Sequence, residues 1–289
     1  MTPAPWLGRK AKAARKTARQ SADALPDGLW TKCPQCGDIL FAKELQKNLR
    51  VCNKCGHHYI LGAWERIHSL VDDGTFQEMD SNLTTVNVLD FSEYDEKLAK
   101  WRAKTGLEEA IVTGVGEIDG RKVVLGVLDF NFWAGTMGGV VGERVVRAME
   151  HAIESNLPVI MFIASGGIRV TEGLPGLMQM AKTSAACAKL HEAGIPYIIV
   201  LTDNSLAGVL ASYGSLGDFT ISEPGLLTGL TADRVAKQAQ VIHVPDNFRR
   251  AEFAMDHGHI DRIVSRRELK STLVKLLQFC RDEEEEDAA

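Results

Sequence analysis

Nowhere in the 289 residues is there a run of 18 or more uncharged apolar residues, so the sequence offers no helix able to span a bilayer. The longest apolar stretches, Pro158 to Ala164 and Pro196 to Leu201, have the length of buried strands. Six cysteines are too few to build a disulfide framework for a chain this long. The serine elbow G-x-S-x-G, the zinc-protease motif H-E-x-x-H and an evident Ser/His/Asp set are all missing, and no segment has Walker A or G-x-G-x-x-G spacing. A side-chain nucleophile or nucleotide loop of those kinds is therefore excluded. The amino-terminal stretch lacks an apolar h-region, which excludes a secretory signal; the cytoplasm is the expected location, with an organellar transit peptide as the alternative.

What is present is a hydrophobic content of 45%, enough for one large α/β domain and a smaller one. The net charge of −5 is unevenly spread. Arg9, Lys10, Lys12, Arg15, Lys16 and Arg19 precede any acid, whereas Asp282 to Asp287 is an unbroken acidic block. Residues 1–27 are expected to be a basic mobile arm and 281–289 an acidic tail. Cys187 and Cys280 stand alone in apolar helical patterns and read as buried, inert thiols.

The organisation follows from the pattern between these ends. Residues 28–60 are Cys-rich. Gly62 to Leu70 reads as a short helix, within a helical connector over 61–110 whose large apolar anchor is Trp101. From 111 to 280 strands and helices alternate. Val123 to Leu128, Val159 to Ala164 and Tyr197 to Leu201 are strand-like, and Gly139 to Ser155, Leu174 to Ala193 and Asp233 to Gln240 are helix-like. Pro175 suits a first helical turn and Gly194 a C′ position, while Met178 and Met180 read as core packing.

Cys33-Pro-Gln-Cys36 and Cys52-Asn-Lys-Cys55 form two matched knuckles with residues 37 to 51 between them, the spacing of a four-thiolate zinc site. Four thiolates saturate a tetrahedral Zn2+ and leave no position for water, so the ion is structural. A redox dithiol is the competing reading. His57 and His58 read as surface or packing residues beside it. Lys43, Lys47 and Arg50 give this ribbon a basic character that fits CoA phosphates or a nucleic acid.

Three segments share the order strand, small-residue turn, helix: Phe132 to Gly142, Ala164 to Glu172, and Thr202 to Val209. Backbone N–H groups at such turns can converge on an oxyanion or phosphate, and small residues let a ligand approach within hydrogen-bond distance. With no catalytic side-chain set in evidence, chemistry here would rest on backbone dipoles.

The ribbon followed by GTMGGVVGERVVRAMEHAIE, ASGGIR, LMQMAKTSAACAKL, GIPYIIVLTD, SYGSLGD and AEFAMDHGHIDRIV resembles the β subunits of heteromeric acetyl-CoA carboxylase over about residues 28 to 279. The resemblance implies a crotonase-like (ClpP/crotonase) superhelix of ββα units behind the ribbon. It also implies an α2β2 carboxyltransferase working with an α subunit, a biotin carboxyl carrier protein and a biotin carboxylase. Carboxyl transfer from carrier-borne biotin to acetyl-CoA, giving malonyl-CoA, would use backbone oxyanion donors at Ala207 and Gly208 with Gly166 and Gly167 beside them. Gly138, Gly139, Arg169 and Gly229 are the cofactor-binding positions it implies. The chain departs from the family at Ala207, where Gly is usual, and also at Ala134, Ile168, Ala232 and Asp233. Ala207 is expected in the first helical turn with negative φ, where alanine is tolerated. The departures keep two alternatives open, a carboxyltransferase for another acyl-CoA and a degenerate regulatory paralogue; a zinc-ribbon nucleic-acid-binding protein is a third.

Overall fold

The computed structural model describes residues 29–230, 245 and 247–280. The basic arm, the acidic tail, Ala232, Asp233 and the helix expected from Asp233 to Gln240 lie outside the described residues.

The first unit is a two-stranded antiparallel ribbon, β1 (Trp30–Lys32) and β2 (Ile39–Phe41), followed by the short helix α1 (Ala42–Lys47). Its core is small: Leu40, Leu45, Cys33 and Cys52, with Tyr59 packed against them. Four apolar or thiol groups are too little to hold such a unit without a metal.

The second unit is built on an eight-stranded sheet. Its strands are β3 (Gln77–Met79), β4 (Ile111–Ile118), β5 (Arg121–Leu128), β6 (Val159–Ser165), β7 (Tyr197–Leu206), β8 (Phe219–Ser222), β9 (Leu227–Gly229) and β10 (Arg262–Ile263). The order is β10-β8-β7-β6-β5-β4-β3, with β9 paired to the end of β7. β3, β4 and β5 are antiparallel neighbours, and from β5 to β10 the pairings are parallel. Every residue of β6 and the first six of β7 are buried, as expected of parallel strands with both faces covered. Helices α2 (Ala63–Leu70) and α3 (Tyr94–Thr105) precede the parallel strands, while α4 (Gly139–Ser155) and α5 (Gly173–Glu192) connect them. The β4-β5-α4 succession is one ββα unit.

Two expectations are corrected here. The segment over 61–110 is not a helical connector: its strand β3 extends the main sheet, and Tyr94 and Leu98 are buried whereas Trp101 is half-buried. Helix α5 buries Gly176, Thr183, Ala186, Cys187 and Leu190 and leaves Leu174, Leu177 and Met178 exposed. Met178 is therefore not core, and Met180 only partly so. Cys187 is buried, which pushes its thiol up to about 12, and Cys280 is half-buried.

Candidate active site

The four knuckle sulfurs lie within 4.8 Å of one another. Cys33 Sγ is 3.7 Å from Cys55 Sγ, and Cys36 Sγ is 4.0 Å from Cys52 Sγ. A tetrahedral ion with Zn–S bonds of about 2.3 Å requires sulfurs about 3.8 Å apart, so the cage fits zinc. The short contacts run between the knuckles, so all four sulfurs converge on one point as ligands of a single ion do, rather than pairing off within each Cys-x-x-Cys as a redox dithiol would. Gly37 and Gly56, both at positive φ, donate their N–H to Cys33 and Cys52 carbonyls and close each knuckle. Arg50 is paired with Glu65 (2.8 Å), which removes it from the ribbon's basic face and leaves Lys43 and Lys47 exposed.

The ribbon is tied to the sheet by a buried charge cluster. Arg266, opening α7 (Arg266–Phe279), donates to the carbonyls of Leu49 and Tyr59 on either side of the second knuckle (2.8 and 3.0 Å). The same guanidinium grips Glu223, just past β8, with bonds of 2.8 and 2.6 Å, and Arg66 adds a third at 2.9 Å. Burial would push Glu223 up, but Arg66 and Arg266 hold it down to about 2. His58 lies 3.7 Å from the same carboxylate, and burial pushes it down to about 4. It is thus a packing residue rather than a surface one.

The glycine turns sort into two groups. In the first, the carboxylate of Glu172 occupies the start of α4, accepting the Gly139 N–H at 2.6 Å. A Cβ on Gly138 would stand 2.2 Å from that carboxylate. Arg169 is 1% exposed and saturated: it bonds Glu109 (2.5 and 3.0 Å), Glu172 (3.0 Å) and the Thr136 carbonyl (3.1 Å), and stacks on Trp133. Tyr94 completes the group with a 2.7 Å bond to Glu172. Gly138, Gly139 and Arg169 therefore form an internal clamp. The protein's own carboxylate takes the Gly139 N–H at the start of α4, a position that favours an anion.

The second group is where a ligand could be served. Here the turns after β6 and β7 meet: a Cβ on Gly167 would lie 2.8 Å from Ala207 Cβ and 3.6 Å from the Gly208 nitrogen. A Cβ on Gly208 would meet Ile168 at 2.6 Å, so the bulky residue at 168 itself requires glycine at 208. Gly229, ending β9, pairs with Leu206 beside this turn. The Gly166 N–H goes to the Ala134 carbonyl (2.8 Å) and that of Gly167 to Ser165 Oγ (3.0 Å). Both of these N–H groups are thus already bonded within the fold, and the two glycines give clearance beside Ala207 and Gly208.

Ala207 is corrected as well, with φ of 52° rather than a negative value. The cause is that β7 does not stop at Asp203. Its register against β6 slips between Ile163 and Ser165, and Thr202 and Ser205 hydroxyls both bond the Ile163 carbonyl to hold the bulge. The strand then runs on to Leu206, and Ala207 must turn it into the short helix α6 (Ala207–Leu210). Ala134 also has positive φ, 55°. Alanine in this region costs about 1–2 kcal/mol.

Sequence reading missed Glu172, Glu223, Arg66 and Arg266. Apart from the Arg169–Glu172 pair, the partners described lie 33 to 217 residues away in the chain, so no local pattern signals them.

A zinc ribbon clamped to a mostly parallel sheet, with small-residue turns meeting after two of its parallel strands, is the arrangement of a carboxyl transferase. Residues 61–247 match the carboxyl transferase domain and residues 30–55 the acetyl-CoA carboxylase zinc finger domain. An acetyl-CoA carboxylase carboxyl transferase subunit β from Desulforamulus reducens is 53% identical over 88% of each chain. A fused β/α chain from Natranaerobius thermophilus is 48% identical over 88% of this chain and 42% of its own length. Among solved structures, transcarboxylase 12S with methylmalonyl-CoA bound superposes with a TM-score of 0.65 at 27% identity, over 75% of this chain and 41% of that one. The chain belongs to the acetyl-CoA carboxylase carboxyl transferase β-subunit family, and its fold is crotonase-like with an amino-terminal zinc ribbon.

Proposed function

We infer that this chain, with an α subunit in an α2β2 assembly, transfers a carboxyl group from carrier-borne biotin to acetyl-CoA, forming malonyl-CoA in the cytoplasm. The observation that carries the reading is the meeting of the turns at Gly167, Ala207 and Gly208, with Gly229 paired alongside, where small residues stand in place of catalytic side chains. Carboxybiotin on its carrier protein, charged by a biotin carboxylase, supplies both the CO2 and the base that takes the acetyl methyl proton. The protein then has to stabilise an enolate oxygen, and the backbone at Ala207 and Gly208 offers N–H donors for it without adding a competing base. The ribbon over 28–60 and the sheet domain from 61 onward are the two functional parts of the chain.

Pairing with an α subunit is supported by surface chemistry. Val170, Leu174, Leu177 and Met178 are exposed along the start of α5, directly after the Gly166-Gly167 turn, and Leu89 and Phe91 are exposed on a neighbouring loop. Leu89 reaches Gly173, so the two segments are contiguous. Such an apolar patch beside a site marks a protein interface. A fused β/α relative shows that the two parts can share one chain.

The two alanines at positive φ favour a second reading, transfer to another acyl-CoA through a reshaped turn. Reconstitution tests both. The chain purified with its α subunit should form malonyl-CoA from acetyl-CoA and carboxybiotin, and the chain alone should have little or none of that activity. Full activity without α refutes the half-site; preference for a longer acyl-CoA supports the second reading.

A further inference from the structure

Asp203 sits in the bulge of β7 at φ 49°, four residues before Ala207. Its Oδ2 is buried and has no hydrogen-bond partner. The charged groups that act on it come from four elements: Arg66 on α2, Glu223 after β8, Arg266 on α7 and Asp129 after β5. Arg266 is committed to Glu223 and Arg66 bonds it through Nη1, leaving Arg66 Nη2 without a partner, and Asp129 accepts the N–H groups of Ala63 (2.9 Å) and Asn131 (2.8 Å). His58, the remaining titratable group beside Glu223, is kept neutral by its burial.

Two guanidiniums and the carboxylates of Glu223 and Asp129 already sum to zero. A third carboxylate would leave this buried cluster with an unbalanced charge and an unsatisfied oxygen, which a low-dielectric interior resists. We propose that Asp203 is held as a neutral carboxylic acid behind the Ala207–Gly208 turn, and that in this form it is a positioning residue that keeps negative charge away from the oxyanion donors. Burial pushes its carboxyl up to about 7, Glu223 and Asp129 pushing the same way and Arg66 and Arg266 opposing. The neutral form is therefore fully populated in mild acid and lost as the pH rises through neutrality.

Four strand residues span no more than about 13 Å. At that distance a unit negative charge in an effective dielectric of about 20 disfavours a developing oxyanion about tenfold. The proposal rests on the oxyanion reading of Ala207 and Gly208. Its test is Asp203→Asn in the complex with the α subunit, with kcat and the acetyl-CoA KM measured from pH 6 to 8.5. The variant is expected to be a few-fold slower at pH 6 and to overtake wild type by pH 8.5, the ratio changing about tenfold or more in kcat and little in KM. Wild-type protein labelled with 13C at the aspartate carboxyls should show one aspartate titrating near neutrality, absent in the variant.

A kcat ratio independent of pH, or an Asp203 already ionised at pH 5, overturns the proposal. So does a ratio falling with pH, which would mean that the carboxylate, drawn to the unpartnered Arg66 Nη2, is the active form. Asp203→Ser serves as a second neutral variant should the amide fail to fold, and the carboxyl titration needs no variant. If instead an ester at the 208 backbone nitrogen leaves turnover intact, it is the oxyanion reading that fails, whatever Asp203 does.

Discussion

Replacing Ala207 by glycine relieves a strain that the fold imposes. At φ 52° the alanine costs about 1–2 kcal/mol, and glycine returns about 0.4–1 kcal/mol to the unfolded chain. The net stabilisation is about 0.5–1 kcal/mol, a rise in Tm of about 1–4 °C for a domain of this size. Turnover should rise by no more than several-fold, since both residues carry the same N–H. The contact with Gly167 allows a stricter check. A Cβ at 167 would stand 2.8 Å from Ala207 Cβ, but with that Cβ gone the nearest atoms are at 3.6 and 3.9 Å. Gly167→Ala in the wild type therefore pays for both overpacking, about 1–3 kcal/mol, and a φ of 118°; in the Ala207→Gly background only the second cost remains. Urea unfolding of the four chains should give a coupling of about 1 kcal/mol or more. Additivity within about 0.3–0.5 kcal/mol, or a hundredfold rise in turnover for Ala207→Gly, would refute this account of the turn.

Stripping zinc with a chelator should open residues 30–55 to protease while the sheet domain keeps its secondary structure, because metal binding supplies the folding energy of so small a core; metal analysis of fresh protein should find one zinc per chain. Glu223→Gln leaves Arg66 and Arg266 buried without their counter-charge and should destabilise by about 3–5 kcal/mol. Because Glu223 titrates lower folded than unfolded, its contribution is complete above about pH 4.5 and lost as the pH falls through about 2. Asp203, raised to about 7, works oppositely, so wild-type stability declines between about pH 4 and 7 relative to Asp203→Asn.

The elements with strong local patterns were legible. The helix expected over Gly139 to Ser155 has those bounds, and the strands at 123, 159 and 197 are present. The cysteine cage was equally plain, because knuckle spacing alone sets its geometry. The site was legible only in outline. Sequence marks small residues after strands but not which N–H groups remain free: at Gly139 and Gly166 acceptors from elsewhere in the fold take them, and at Gly167 the Ser165 hydroxyl of the same turn does. Helix α5 misleads because its apolar residues exceed what one core face can take: the surplus is exposed beside the turns, where a partner rather than the core explains it. The sign of φ at Ala207 depended on a register slip between β6 and β7, a tertiary feature without a local signature.

The proposed oxyanion site rests on backbone donors, not side chains. Its most direct measurement replaces Gly208 by glycolic acid, exchanging the N–H for an ester oxygen without adding bulk near Ile168. In the complex with the α subunit, kcat for malonyl-CoA formation should fall about 100- to 1000-fold while the acetyl-CoA KM changes little. An ester variant that folds, keeps its zinc and turns over within a few-fold of wild type would contradict it.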